Sequence, residues 1–260
     1  MSSPHPEPVH TVLGDPGAPR HAVVLAPVLP RWDHGAFLRR AAGPLLASGH
    51  RVTVYDTLSL LHDGDDLKAL VNRWAPYLAA AAPDLLAGNA LGGAVVQALL
   101  AQEWTRRARV LLLSGPTVAD DELNTTLERI ASAVANQGLP AALRLLDEAV
   151  RGPDRPAATA PAPAPDHPPS PDDELAGHRL AAGLRLLLDA DARAPVHDFP
   201  GPLLHLYGEQ SLLVRRRHLA TGPGPQHRLV GVPRAGMRPH ADRPDLTDAA
   251  VTRFLGAEDS

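Results

Sequence analysis

Residues 88–92 read Gly-Asn-Ala-Leu-Gly. A short apolar run, Asp84 to Gly88, enters this turn and a helical pattern over residues 94–104 leaves it. Strand, sharp turn and helix in that order form the frame that presents a nucleophilic serine in Gly-x-Ser-x-Gly. Here Ala90 puts a methyl group where the oxygen would stand. Gly88, Gly92 and Gly93 still permit the tight turn. A helix starting near Leu91 still aims its free amides and positive dipole end at whatever lies above the turn. Asn89, inside the turn, either offers its amide to a ligand carbonyl or tolerates a strained backbone.

A second group of chemistry-bearing side chains is consecutive. Arg31, Trp32, Asp33 and His34 place a cation, a flat apolar surface, an acid and a base within one short stretch, a combination suited to gripping a small organic molecule. The plainer reading is that Trp32 packs while Asp33 or His34 caps the helix that follows. Asp56 ends an apolar run, where carboxylates commonly organise turns. The histidines are scattered, with no His-x-x-x-His and no carboxylates at ligand spacing, so no metal is expected. Residues 88–93 do not match Gly-x-Gly-x-x-Gly, and no cofactor is expected.

The elements that must position these groups alternate. Residues 21–27, 51–56, 84–88, 109–116, 202–209 and 227–233 are apolar runs of strand length, continuous enough to be buried on both faces of a parallel sheet. Helical periodicity over 34–49, 66–81, 94–104 and 246–256 separates them, which implies an α/β, doubly wound, mostly parallel sheet. The alternation breaks over 117–199, where two helical stretches flank a Pro/Ala-rich segment at about 153–171. The expectation is a core of residues 1–116 and 200–260 with a helical cap at 117–199, inserted after the strand ending near Ser114. The Pro/Ala stretch reads as a mobile, partly polyproline II tether, and caps so placed often act as lids.

Composition narrows the partners. The 260 residues are 44% hydrophobic and 21% charged, as in globular proteins. A formal net charge of −4 gives no basic field for nucleic acid or anionic lipid. There are no cysteines, which excludes disulfides and thiolate chemistry. The first ten residues lack the basic start and apolar run of a signal peptide, and no stretch approaches the roughly 20 apolar residues that span a bilayer. The expectation is a soluble, cytoplasmic protein with a small-molecule substrate, no nucleic-acid partner and no membrane partner; the sequence leaves the oligomeric state open.

Five landmarks in order resemble the α/β-hydrolase superfamily over nearly the whole chain: residues 23–27, 50–56, 87–93, 202–214 and 232–244. The resemblance places the family's nucleophile at Ala90, its acid at Ser211 and its histidine at Met237. It places the oxyanion-hole donors on the backbone N–H groups of Val28 and Leu91. It sets residues 30–37 on the loop walling the pocket and turns Ser114 toward the pocket region, without an identifiable base. It also implies a role for His240, since family members often carry a second histidine near the pocket rim. There it would be a displaced base titrating near neutrality, or a packing side chain.

Loss of the nucleophile alone costs a serine hydrolase a factor on the order of 10⁶, so ordinary serine hydrolysis is not expected. Relatives of the fold include hydroxynitrile lyases, cofactor-free dioxygenases and plant cyclases, so the resemblance implies a scaffold and not a reaction. Two readings stand. One is a cofactor-independent, non-hydrolytic enzyme of cyclase, isomerase or lyase type in specialised metabolism, orienting a small apolar substrate with His240, His34 and Asp33 as catalytic groups. Its substrate-binding set is Val28, Arg31, Trp32, Asn89, Ala90, Leu91, Ser114, Ser211 and Met237. The other is an inactive pseudo-hydrolase that binds a ligand or a partner. An open cavity with His34 or His240 facing inward would favour the enzyme.

Overall fold

The computed structural model describes residues 7–151 and 170–256. The Pro/Ala tether expected at 153–171 lies outside them, apart from Ser170 and Pro171. Seven strands form one sheet: β1 (His10–Leu13), β2 (Arg20–Leu25), β3 (His50–Tyr55), β4 (Leu85–Asn89), β5 (Arg109–Leu113), β6 (Leu203–Gly208) and β7 (His227–Val232). Their order is β1-β3-β2-β4-β5-β6-β7. Only β1 runs antiparallel to its neighbour. The chain winds outward from β2 to β3, then crosses back to lay β4 on the other side of β2. That reversal opens a crevice beyond the carboxyl ends of β2 and β4, where open α/β sheets bind ligands.

The near-continuous apolar runs have the expected cause. Val23, Leu25, Leu86, Val110 and Leu112 enter one apolar cluster, while Ala22, Val24, Leu85, Ala87 and Leu111 enter a second on the opposite face. Period-two alternation with both faces buried leaves few polar positions within the central strands.

Helices α1 (Gly43–Ala47), α2 (Leu67–Ala81) and α3 (Leu91–Leu99) lie among the strands. The cap region contributes α4 (Asp121–Gln137), α5 (Leu139–Val150), α6 (Pro171–Arg185) and α7 (Arg193–Asp198), and α8 (Pro239–Asp242) and α9 (Pro244–Leu255) finish the chain. Leu45 of α1 and Val251, Phe254 and Leu255 of α9 cover one face of the sheet; α2 and α3 cover the other. No helix of the described residues is long and apolar enough to cross a membrane.

Three elements differ from expectation. The helix expected over 34–49 is a 3₁₀ turn at Ala36–Leu38 followed by the short α1, which starts with Pro44 in its first turn. Proline has no N–H for a preceding turn and a backbone angle suited to starting a new one. The helix expected over 94–104 begins earlier, at Leu91, and ends at Leu99. The first helical stretch of the cap divides at Gly138, which adopts φ 85° and ψ 166° and lets α5 leave α4.

Within the cap, α4 packs against both α5 and α6, whereas α7 packs against α3. Leu123, Leu127 and Ile130 of α4 and Leu180 and Leu184 of α6 share one apolar cluster with Leu25 and Leu112 of the sheet. The two connections of the cap are joined to each other. Ala119 N–H donates to the Ala190 carbonyl and Ala192 N–H to the Thr117 carbonyl, each at 2.8 Å.

Candidate functional site

The turn after β4 is held by backbone contact. Ala90 adopts φ 48° and ψ −112°, a region that costs a residue with a side chain about 1–3 kcal/mol. A Cβ at Gly92 would lie 2.1 Å from the Leu25 carbonyl oxygen, and one at Gly88 would lie 2.3 Å from the Gly92 carbonyl oxygen. These glycines let α3 press onto the ends of β2 and β4. Asn89 Nδ2 donates to the Leu113 carbonyl at 2.9 Å, and the Ala90 amide donates to the same oxygen at 3.0 Å. Leu91 is the first residue of α3, so its N–H has no acceptor within the helix. Behind the turn, Gln97 Nε2 lies 3.1 Å from each of the Gly93, Gly115 and Pro116 carbonyls, and Gln97 Oε1 accepts from Thr117 Oγ1 at 2.5 Å.

Above the turn is a cavity of about 210 Å³. Asn89, Ala90, Leu91 and Met237 line it from the sheet side, and residues 27–30, following β2, line it from the side. The cap contributes Leu123 and Leu127 of α4, Leu146 of α5 and Leu184 of α6. Leu213, Val214, Phe37 and Arg238 complete the arc. The wall is almost entirely hydrocarbon, with Asn89 and Arg238 its polar side chains.

No protein-family model matches the chain, and no curated protein does. Solved structures match it almost end to end. An α/β hydrolase enzyme from a Medee basin deep-sea metagenome library superposes with a TM-score of 0.72 over 95% of this chain and 94% of its own, at 14% identity. A bromoperoxidase from Bacillus anthracis gives 0.68 over 95% and 94%, at 17% identity. The 2-hydroxy-6-oxo-6-phenylhexa-2,4-dienoate hydrolase of Rhodococcus sp. strain RHA1 gives 0.66 over 95% and 93%, at 17% identity. The chain has the α/β-hydrolase fold.

In this α/β-hydrolase fold the three positions that the sequence resemblance assigns to nucleophile, acid and base come together. Ala90 and Met237 both line the cavity, and Ser211 Oγ lies 3.8 Å from Met237 Sδ. Val28, Asn89 and Leu91 also stand in the cavity wall. Asn89 directs its amide nitrogen away from a ligand, because that nitrogen is bonded to Leu113.

The remaining expected residues lie outside the wall. Arg31 turns to the cap, where its guanidinium meets Asp173 of α6 at 2.5 Å with both side chains largely exposed. Asp33 Oδ2 accepts the Phe37 N–H at 2.7 Å, which is the capping arrangement. Trp32 is half-buried, its indole N–H without a partner and its ring centroid 6.4 Å from that of His34. His34 adopts φ 56°. Ser114 is fully buried at φ 48° with its hydroxyl unpartnered.

His240 is 3% exposed. It packs edge-on against Phe37, with ring centroids 5.4 Å apart. Burial pushes its pKa down to about 4, with the nearby Arg238 charge acting the same way. At neutral pH it is therefore an uncharged packing group one side chain removed from the cavity, and not a base poised near neutrality.

One contact that positions the wall of the cavity had no signal in the sequence. Asp56 accepts the Leu58 N–H at 3.2 Å, capping a 3₁₀ turn, and is also paired with Arg179 of α6. Arg179 Nε donates to the Leu29 carbonyl at 2.9 Å. Burial raises the Asp56 pKa, and the Arg179 charge opposes that rise. Arg179 thus ties the cap to the loop that carries Val28. A helical arginine some 120 residues from its carboxylate partner has no local pattern to reveal it.

Proposed function

We propose that the chain binds a small, largely apolar organic molecule in the cavity under the cap and does not hydrolyse it. The observation that carries this reading is a 210 Å³ cavity with a methyl group at the tip of a strained elbow and leucines overhead. No acid or base of the wall stands ready to activate water or a hydroxyl, because Asp33, His34 and His240 lie outside it. A ligand-binding pseudo-hydrolase therefore accounts for the site with the fewest groups.

The second reading is a cofactor-independent cyclase, isomerase or lyase of specialised metabolism. It is favoured by the strain kept at Ala90, which starts α3 at Leu91 in the cavity wall and leaves the Leu91 amide without an acceptor in the helix. Positioning and polarisation by that amide would then be the catalyst, and orientation alone can lower a barrier by about 7–11 kcal/mol.

Restoring the implied triad tests both readings against ordinary hydrolysis. Ala90→Ser, Ser211→Asp and Met237→His are combined and assayed with short p-nitrophenyl esters beside the unmodified protein. The expected result is esterase activity in the triple variant only. Activity in the unmodified protein at a comparable rate would overturn the non-hydrolytic proposal. A folded but inert triple variant would show that the elbow amides no longer face a reacting carbonyl, which removes the enzyme reading and leaves the ligand-binding one.

A further inference from the structure

The floor of the cavity carries one polar side chain whose bonding is incomplete. Asn89 is 3% exposed and closes β4 beside Ala90. Among the described residues, the only hydrogen bond of its side chain runs from Nδ2 to the Leu113 carbonyl. A carbonyl can only accept, so this bond settles which end of the side-chain amide is nitrogen. Oδ1 is the end left over, and no donor among the described residues is bonded to it, although Asn89 stands in a wall whose one other polar side chain is Arg238. Buried acceptors are nearly always paired, and one facing a cavity calls for a donor from the molecule that fills it. Beside it, the N–H of Leu91 at the start of the nine-residue α3 offers the opposite polarity.

An acceptor at Asn89 and a donor two residues on at Leu91, both in the cavity wall, define a complementary ligand: a hydrocarbon body ending in a carbonyl with an N–H attached to it. We propose that Asn89 is the specificity-determining residue of the cavity and selects a carboxamide over an ester or ketone of the same shape. The ligand carbonyl accepts from the Leu91 N–H, and the ligand N–H donates to Asn89 Oδ1. The inference rests on the ligand-pocket reading above and sharpens it to a chemical class.

Octanamide and nonan-2-one test it, since they differ only by NH2 in place of CH3. Both are titrated into the unmodified full chain by calorimetry. The ketone leaves water more readily than the amide, so a pocket without the acceptor binds the ketone more tightly. The expected result is the reverse order, with octanamide tighter by about tenfold or more. In Asn89→Leu, checked for folding by circular dichroism, the ketone should become the tighter ligand.

A ketone bound as well as the amide by the unmodified chain overturns the role of Asn89 while leaving the pocket reading standing. An amide preference that survives in folded Asn89→Leu assigns the selectivity elsewhere and overturns the proposal too. Failure of both probes to bind at millimolar concentration removes the pocket reading along with it. If Asn89→Leu does not fold, the order of the two ligands on the unmodified chain decides by itself.

Discussion

The floor and the roof of the cavity are built by different physics. At the floor, main chain touches main chain: Gly92 lies against Leu25, Gly88 against Gly92, and Ala90 is held in a strained turn between them. At the roof, side chains reach across. Arg179 spans from α6 to Asp56 and the Leu29 carbonyl, Arg31 reaches from its loop to Asp173, and cap leucines share a core with the sheet. Backbone contacts have no slack, whereas side chains have rotamers in which to yield. The floor should therefore tolerate almost no change and the roof should degrade by degrees.

The sharpest way to break this comparison is a matched pair of glycine substitutions. Gly92→Ala places a Cβ against a carbonyl of β2, and the expected loss is about 3–5 kcal/mol, measured by urea unfolding or seen as failure to accumulate folded protein. Gly177→Ala in α6 meets side chains alone, the Cγ1 methyl of Val134 at 2.7 Å and Leu139 Cβ at 3.9 Å. Its expected cost is about 1 kcal/mol, since a side-chain end can move and alanine favours the helix. Equal losses would mean that floor and roof are equally rigid.

Next in size is the buried latch. Arg179→Met leaves Asp56, with only 4% of its side chain exposed, without its cation, and should cost about 3 kcal/mol near neutral pH. The pH dependence has a definite sign. Burial already raises the Asp56 pKa in the presence of Arg179, and removing the arginine raises it further. A carboxyl with a folded pKa above its unfolded value leaves the native state binding more protons, so stability falls as pH rises through that window. The deficit of Arg179→Met should shrink as pH is lowered from neutrality toward the ordinary carboxylate range, and Asp56→Asn added to Arg179→Met should recover most of it. A deficit independent of pH would show that packing, and not the charge, is what the arginine supplies. Smallest is Arg31→Ala. Its pair with Asp173 is roughly half exposed on both sides, so the expected change is about 0.5 kcal/mol or less, within reach of a thermal melt only if replicated.

The same division explains what could be read from the sequence. The parallel strands and the elbow were legible because apolar continuity and closely spaced glycines are local consequences of a two-faced sheet and a tight turn. Ala90, Ser211 and Met237 followed from the order of landmarks, and the fold brings all three positions to one place. The edge strand β1 was not legible, since it has four residues, is largely solvent-facing and lacks alternation. Nor was the break at Gly138, which sits inside an unbroken helical periodicity. Arg31, Trp32, Asp33 and His34 form a consecutive cluster of functional groups, yet Arg31 turns to Asp173 far along the chain, Asp33 caps the next turn, and Trp32 and His34 lie with ring centroids 6.4 Å apart. The acceptor left at Asn89 depends on which carbonyl lies opposite, in a strand 24 residues away.

The shared apolar cluster of cap and sheet also bears on how a ligand enters and leaves. Lifting α4 and α6 from the sheet would expose Leu123, Leu127, Leu180 and Leu184 together with the strand residues beneath them. Opening by that route approaches the cost of unfolding a large part of the molecule. On the proposed ligand-binding reading, exchange would instead pass the outer edge of the lining, where Leu143 is 36% exposed. The shared cluster also predicts that the two layers of the protein melt in a single cooperative transition.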